Sequence, residues 1–322
     1  MRNKGSNPFP YSDTNKRYHT YDYFLRNKFG KKVFKVTLDA GFTCPNIDGT
    51  RGVGGCTYCS SRGSGDFAAS ALLSIGEQYE IIRRNMSRKW SDAYCIPYFQ
   101  AHTNTYAPTE ILRQRFYEAL DLPDAVGMSI ATRADCLSDT AVELLHELAE
   151  KTFLTVELGL QTIHDESARR INRCHSYEEF LEGYNKLKGL NVCVHLINGL
   201  PGESREMMLE SASEVALLRP HAVKLHLLHI IRGTVMAQEY ERGEFEALTM
   251  DEYVQTVCDQ LELLPAETVI GRITGDGAPD TLVAPDWSRK KFVVMNEIDK
   301  EMARRDTVQG ALFKGVKKTD FT

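Results

Sequence analysis

No apolar run in this chain approaches the ~20 residues that a bilayer-spanning helix needs, which excludes helical membrane insertion. The opening stretch MRNKGSNPFPYSDTNKRY lacks the apolar core of a secretory signal. The protein is therefore expected in the cytoplasm, with no membrane partner. Low-complexity segments, short-period repeats and dividing linkers are also missing. An overall positive charge is missing too: the net charge of −5 excludes a wholly basic nucleic-acid binder. Eight cysteines are present, but a reducing compartment does not sustain a disulfide framework. Five of them (Cys95, Cys136, Cys174, Cys193, Cys258) are scattered and read as inert buried thiols.

What is present is 322 residues of ordinary globular composition, 42% hydrophobic and 26% charged. Short runs rich in β-branched and aromatic residues lie at 33–40, 94–100, 125–131, 153–159, 191–197, 222–230 and 268–274. Helix-like stretches separate them at 76–89, 109–119, 138–151, 176–188, 204–218 and 249–263, several opened by capping residues such as Ser138, Ser176 and Ser204. Alternation of this kind predicts an α/β fold, a parallel sheet with right-handed crossovers. A complete eight-unit barrel needs one more βα unit, which residues 275–322 do not supply. They hold the Gly275–Pro279 loop, then Ala284-Pro285-Asp286-Trp287 and a helix-like stretch at 293–305. The expectation is a partial, open parallel βα barrel of about six βα units. It would span 33–275, with a basic N-terminal extension (1–32) and a C-terminal extension (276–322) packed on it.

Charge is unevenly spread. Residues 1–35 hold nine Lys/Arg and two acids, a net of +7, so the remaining 287 carry −12. A basic arm on an acidic body suggests contact with a polyanion, and Tyr11, Tyr18, Tyr21 and Tyr23 are placed to stack on bases. A solvated terminus and an ordinary tyrosine-packed helix are the competing readings.

The strongest local signal is Cys44, Cys56 and Cys59, spaced Cys-x11-Cys-x2-Cys on a loop after the first strand. Three thiolates hold three irons of a cubane and leave the fourth open for a ligand. Glycines at 49, 52, 54 and 55 allow the tight path around it. Zinc is the competitor. Closed zinc sites want four ligands, usually in pairs, whereas His19 and His102 are the nearest histidines here.

The string from Asp39 to Cys44-Pro45-Asn46, followed by Gly54-Gly55-Cys56-Thr57-Tyr58-Cys59, resembles the radical S-adenosylmethionine (SAM) superfamily. The lengthened first gap is similar to the YhcC/YtqA-type branch, related to the catalytic subunit of Elongator. The resemblance runs from about Arg17 through Gln309. It implies a [4Fe–4S] cluster on Cys44, Cys56 and Cys59, with S-adenosyl-L-methionine chelated at the open iron. It also implies reductive cleavage of that cofactor to a 5′-deoxyadenosyl radical.

Chemistry in parallel barrels gathers at the C-terminal strand ends. Tyr58 lies between two cluster cysteines and is expected at the cofactor. Thr103 and Asn104 stand where the superfamily holds the amino group of the cofactor. Glu157 and Gln161, four apart on the fourth strand, are expected on one side of it as cofactor contacts, since Glu157 in an apolar strand must be paired or face a cavity. Asn198 and Gly199 match the segment that meets the adenine. Arg133 is expected to fork onto a carboxylate, with a structural salt bridge as the alternative. Arg272 is expected to contact a substrate carboxylate or phosphate. His195 reads as a satisfied interior histidine, and Lys224 as either an anion contact or a snorkelling side chain.

The resemblance implies a tRNA partner, an electron donor such as flavodoxin or ferredoxin, and chemistry on the C5 side chain of the wobble uridine. Residues beyond 275 are too few for an acetyltransferase domain, which favours trimming carboxymethylaminomethyluridine to aminomethyluridine. The rivals are a radical enzyme acting on a small metabolite or protein, and a non-catalytic iron–sulfur or zinc protein.

Overall fold

The computed structural model describes residues 8–315 except Ser64, Asp276, Ala278 and Pro279. Arg2, Lys4 and part of the Gly275–Pro279 loop thus lie outside the described residues. The strands are β1 (Val33–Leu38), β2 (Tyr94–Phe99), β3 (Gly127–Thr132), β4 (Phe153–Gln161), β5 (Asn191–Asn198), β6 (Ala222–Leu227), β7 (Ile230–Ile231), β8 (Val269–Arg272) and β9 (Leu282–Ala284). Seven form one parallel sheet in the order β1-β2-β3-β4-β5-β6-β8. β1 and β8 are its edges and do not pair, so the sheet curls into a partial, open barrel, as the βα count implied. The expected run 222–230 splits: β6 ends at Leu227, and β7 turns to pair antiparallel with β9.

Strand alternation sorts the side chains into two layers. Val36, Leu38, Phe99, Met128, Ile130, Val156, Leu158, Val194, Leu196, Val223 and Leu225 are buried in the main core under the helices. The opposite parity faces inward and is polar: Lys35, Tyr98, Glu157, His195, Lys224 and Arg272 line cavities inside the sheet.

The helices are α1 (Tyr21–Phe29), α2 (Ile75–Ser87), α3 (Thr109–Leu120), α4 (Asp139–Lys151), α5 (Asp165–Arg170), α6 (Tyr177–Lys186), α7 (Arg205–Leu218), α8 (Val235–Glu241), α9 (Met250–Leu263) and α10 (Lys291–Arg304). Ser138, Ser176 and Ser204 cap α4, α6 and α7, and Glu179 closes a capping box at α6. α4 buries Ala141, Leu144, Leu145 and Leu148, the spacing of one helical face. Among the described residues no helix is long and apolar enough to cross a membrane.

The N-terminal stretch corrects an expectation. Its basic residues are mostly neutralised: Lys16 pairs with Asp299, Arg17 with Asp306, Arg26 with Asp13 and Asp22, Lys31 with Asp92, and Lys32 with Asp22. Lys35 pairs with Glu157 inside the barrel. Tyr18 is buried in the core and Tyr21 packs beside Phe24, which removes both as base-stacking platforms, while Tyr11 stacks on His19. The stretch packs because its backbone continues the sheet edge, Ile270 N–H donating to the His19 carbonyl at 2.8 Å. The Gln309 side chain accepts from His19 N–H at 2.8 Å, and Gln309 N–H donates to the Arg17 carbonyl at 2.9 Å.

α6 approaches the turn after β3 so closely that a Cβ at Gly183 would sit 2.2 Å from the Ala134 carbonyl oxygen. Backbone cannot yield there cheaply, so Gly183→Ala is expected to cost about 1–3 kcal/mol, read as a lower urea midpoint. An unchanged midpoint would contradict this packing.

Candidate active site

Cys44, Cys56 and Cys59 line one cavity at the C-terminal mouth of the barrel, together with Tyr58, Thr103, Arg133, Gln161 and Arg173. Positive φ at Gly54 (83°) and Gly55 (75°) turns the chain back ahead of Cys56. The loop is held from a distant segment. Asn172 Nδ2 donates to the carbonyls of Val53 (2.9 Å) and Gly55 (2.7 Å). Asn46 Nδ2 donates to the Asn172 carbonyl (2.9 Å) and to Cys56 Sγ (3.2 Å). Thr57 N–H donates to the Ile171 carbonyl at 3.1 Å. Beside Cys44, Thr103 Oγ1 lies 3.0 Å from Sγ and His102 Nδ1 lies 3.9 Å from it.

These thiols share a distinctive environment. Hydrogen bonding with Cys59 holds Cys56 well below the usual thiol range against the cost of burial, helped by Arg173, Asn46 and Arg133, while Cys59 rises correspondingly. Burial raises Cys44, opposed by the Thr103 hydrogen bond. Arg173 Nη1 is 4.0 Å from Cys56 Sγ. Arg173 Nε and Arg133 Nη1 are buried without a hydrogen-bond partner. Orphaned guanidinium nitrogens beside three thiols suit a bound group of net negative charge, which a thiolate-ligated cluster is. Among the described residues no three His, Cys, Asp or Glu side chains are placed to hold a single metal ion; a cubane needs no such common centre, because each thiolate takes its own iron.

The remaining candidates divide. Gln161 borders the cavity after a break in the β4–β5 register and takes φ 70°, so plain alternation does not describe its placement. Asn104 does not line the cavity. Its Nδ2 donates to the carbonyls of Phe99 (3.1 Å), Ala101 (3.0 Å) and Ala131 (2.9 Å), which pins the turn after β2. Asn198 turns to the helix side, exchanging 2.8 Å bonds with Gln260 on α9. Gly199 packs under Leu248 with its N–H directed at Met208 Sδ, 3.2 Å away. Arg133 borders the cavity, but its fork is occupied by Asp135 at 2.9 and 2.8 Å, the structural salt bridge rather than an open carboxylate reader.

Below the thiols lies a charged interior. Glu157 is fully buried and already bonded: Lys35 holds Oε1, and Lys224 holds Oε2 together with Tyr98 OH (2.7 Å) and His195 Nε2 (2.9 Å). Its carboxylate is thus saturated by protein, contrary to the expectation of a cofactor contact. Burial alone would raise its pKa, but Lys224 and Lys35 hold it well below the carboxylate range. Burial pushes Lys224 down to about 8 and His195 to about 4, leaving His195 neutral at pH 7. Arg272 borders the same space, with no ion pair among the described residues. Sequence reasoning missed Asn172, Arg173, Tyr98 and the interior place of Lys35. The polar run Asn172-Arg173-Cys174-His175 was the available signal for the first two.

Removing the buried carboxylate strands its cations. Glu157→Gln is expected to cost about 3–5 kcal/mol at neutral pH. The cost should shrink as pH rises toward and past about 8, where Lys224 sheds its proton and no longer needs the anion. Chemical denaturation from pH 6 to 9 checks this, and a pH-independent cost would contradict it.

Comparison with known proteins fits this geometry. The radical SAM superfamily model matches residues 47–215 and the radical SAM C-terminal domain model matches residues 220–304. The chain is 53% identical to the uncharacterized protein YtqA of Bacillus subtilis over 96% of this chain and 97% of that protein. It is 35% identical to protein YhcC of Escherichia coli, covering 89% and 92% respectively. Over 49% of this chain and 30% of the relative it is 30% identical to a tRNA uridine(34) acetyltransferase of Methanocaldococcus infernus. The structure of archaeal M. infernus Elp3 with an N-terminal deletion superposes with a TM-score of 0.63 at 20% identity, covering 86% of this chain and 64% of that one. The family uses a [4Fe–4S] cluster and S-adenosylmethionine, and the cysteine loop fits such a cluster. With both family models and nearly full-length relatives matched, this chain belongs to the radical SAM superfamily of enzymes.

Proposed function

We propose that this enzyme acts on the C5 side chain of the tRNA wobble uridine, turning carboxymethylaminomethyl into aminomethyl: loss of a hydrogen atom from the carboxymethyl carbon and of one further electron and a proton, the electron passing to the electron-carrier protein, would leave an imine that water hydrolyses to the amine and glyoxylate. The observation that carries this reading is a cysteine loop set at the mouth of a barrel whose interior holds more cations than carboxylates. Such an interior suits a substrate tail that ends in a carboxylate. Likeness to a tRNA uridine(34) acetyltransferase supports the wobble uridine as target, and the cytoplasm, where tRNA is found, is the matching location.

When bound, the cluster supplies the electron that cleaves S-adenosylmethionine to methionine and a 5′-deoxyadenosyl radical, which takes a hydrogen atom from substrate. In this reading Cys44, Cys56 and Cys59 hold the cluster. Arg173 and Arg133 offset its negative charge. Tyr58, Thr103 and Gln161 border the cofactor, and Asn104, Asn198 and Gly199 steady the loops around it. Glu157 is assigned to fixing the interior lysines. A flavodoxin- or ferredoxin-type protein supplies the electron.

Two measurements test the reading. After anaerobic reconstitution, Cys44→Ala should abolish 5′-deoxyadenosine formation; retained cleavage would remove Cys44 from the cluster. In a deletion strain, carboxymethylaminomethyluridine should accumulate at the expense of aminomethyluridine, and an unchanged nucleoside profile would refute the tRNA assignment.

A further inference from the structure

The space inside the barrel continues beneath the cysteine cavity into a second chamber of about 270 Å³. The two share Tyr98, Gln100, Glu157, Lys224 and Arg272. Three cations (Lys35, Lys224 and Arg272) face this space against the single carboxylate of Glu157. Their roles differ. Both lysines spend themselves on Glu157. Arg272, on the edge strand β8, has neither hydrogen bond nor ion pair among the described residues. Nearby, the buried His226 Nε2 has no hydrogen-bond partner either, and burial keeps that ring neutral, so it adds no further charge. Arg272 is half-buried at the border of this space, and its guanidinium is left without a protein partner to fix it. A negatively charged ligand would give it that partner.

We propose that this chamber is a carboxylate subsite, in which Arg272 takes the carboxylate of the substrate through its two-nitrogen fork while Lys224, fixed by Glu157, completes the positive wall. A carboxylate is favoured over a phosphate by shape, because the planar fork matches a planar carboxylate. A nucleic-acid phosphodiester, carried on a bulky backbone, does not reach a chamber enclosed by strands. The subsite deepens the reading above, resting on its premise that a carboxylate-bearing substrate tail enters the barrel, but not on that tail being attached to tRNA.

The test uses the reconstituted holoprotein and two small probes, N-ethylglycine, which carries only a secondary amine and a carboxylate, and inorganic phosphate, with binding followed by ligand-observed NMR. N-ethylglycine should bind the native protein, its neutral methyl ester and phosphate should bind at least about tenfold more weakly, and Arg272→Gln should weaken N-ethylglycine by roughly 10- to 100-fold. Lys28→Gln, a change on the outer surface, should leave binding unchanged. Arg272→Gln should also hold the thermal midpoint, because the half-buried guanidinium has no protein partner that the change would strand; a lowered midpoint would mark Arg272 as a structural residue and overturn the proposal. Equal binding of the ester, preference for phosphate, or undiminished binding by Arg272→Gln would each overturn it as well. If Arg272 binds the probe as expected while the deletion strain keeps a normal wobble-uridine profile, the subsite stands and the tRNA assignment falls. If the profile changes but Arg272→Gln binds the probe like the native protein, the reverse holds.

Discussion

The carboxylate of Glu157 sits at the centre of the barrel and is bonded from four other strands: Lys35 on β1, Tyr98 on β2, His195 on β5 and Lys224 on β6. A charge with no exposure survives only when it is paired and hydrogen-bonded, and here the pairing partners are the sheet itself. The interaction therefore does two things. It makes a polar interior tolerable in a fold whose barrel core is usually filled with branched apolar side chains. It also fixes two long, flexible lysine side chains in a direction, so that the space between them keeps its shape.

The mouth of the barrel depends on a different kind of restraint. The cysteine loop has little apolar content of its own to bury, and its path is set by the side-chain amides of Asn46 and Asn172, which donate to backbone carbonyls, and by the 166–173 segment against which it lies. Arg173 follows directly and projects its guanidinium to Cys56. The residue that shapes the loop and the residue that balances its charge are thus neighbours in the chain, and disturbing one displaces the other.

What could be read in the sequence follows from how local each signal is. The strand runs and the cysteine spacing are local, and both were legible. The Arg133–Asp135 pair is local too, two residues apart, and the structure settles in its favour an alternative that the sequence left open. Lys35 was not legible. It looked like the end of a basic stretch, because its meaning depends on sheet register that sets it across from a residue 122 positions away. Asn198 failed for the same reason: its partner Gln260 is 62 residues further on. The basic N-terminal stretch misled because charge counting ignores partners, and Asp299 and Asp306 lie at the other end of the chain.

That last arrangement bears on how the protein is made. The segment around His19 and Thr20 is synthesised well before its partners: the strand it lies along, β8, and the side chain that accepts from its backbone, Gln309, come some 250 to 290 residues later. Chains emerge N-terminus first at about 5–20 residues per second, so this segment waits without its partner while those intervening residues are made. The open edge between β1 and β8 accordingly stays uncovered until β8 has been made, and only then does the interior acquire its last wall.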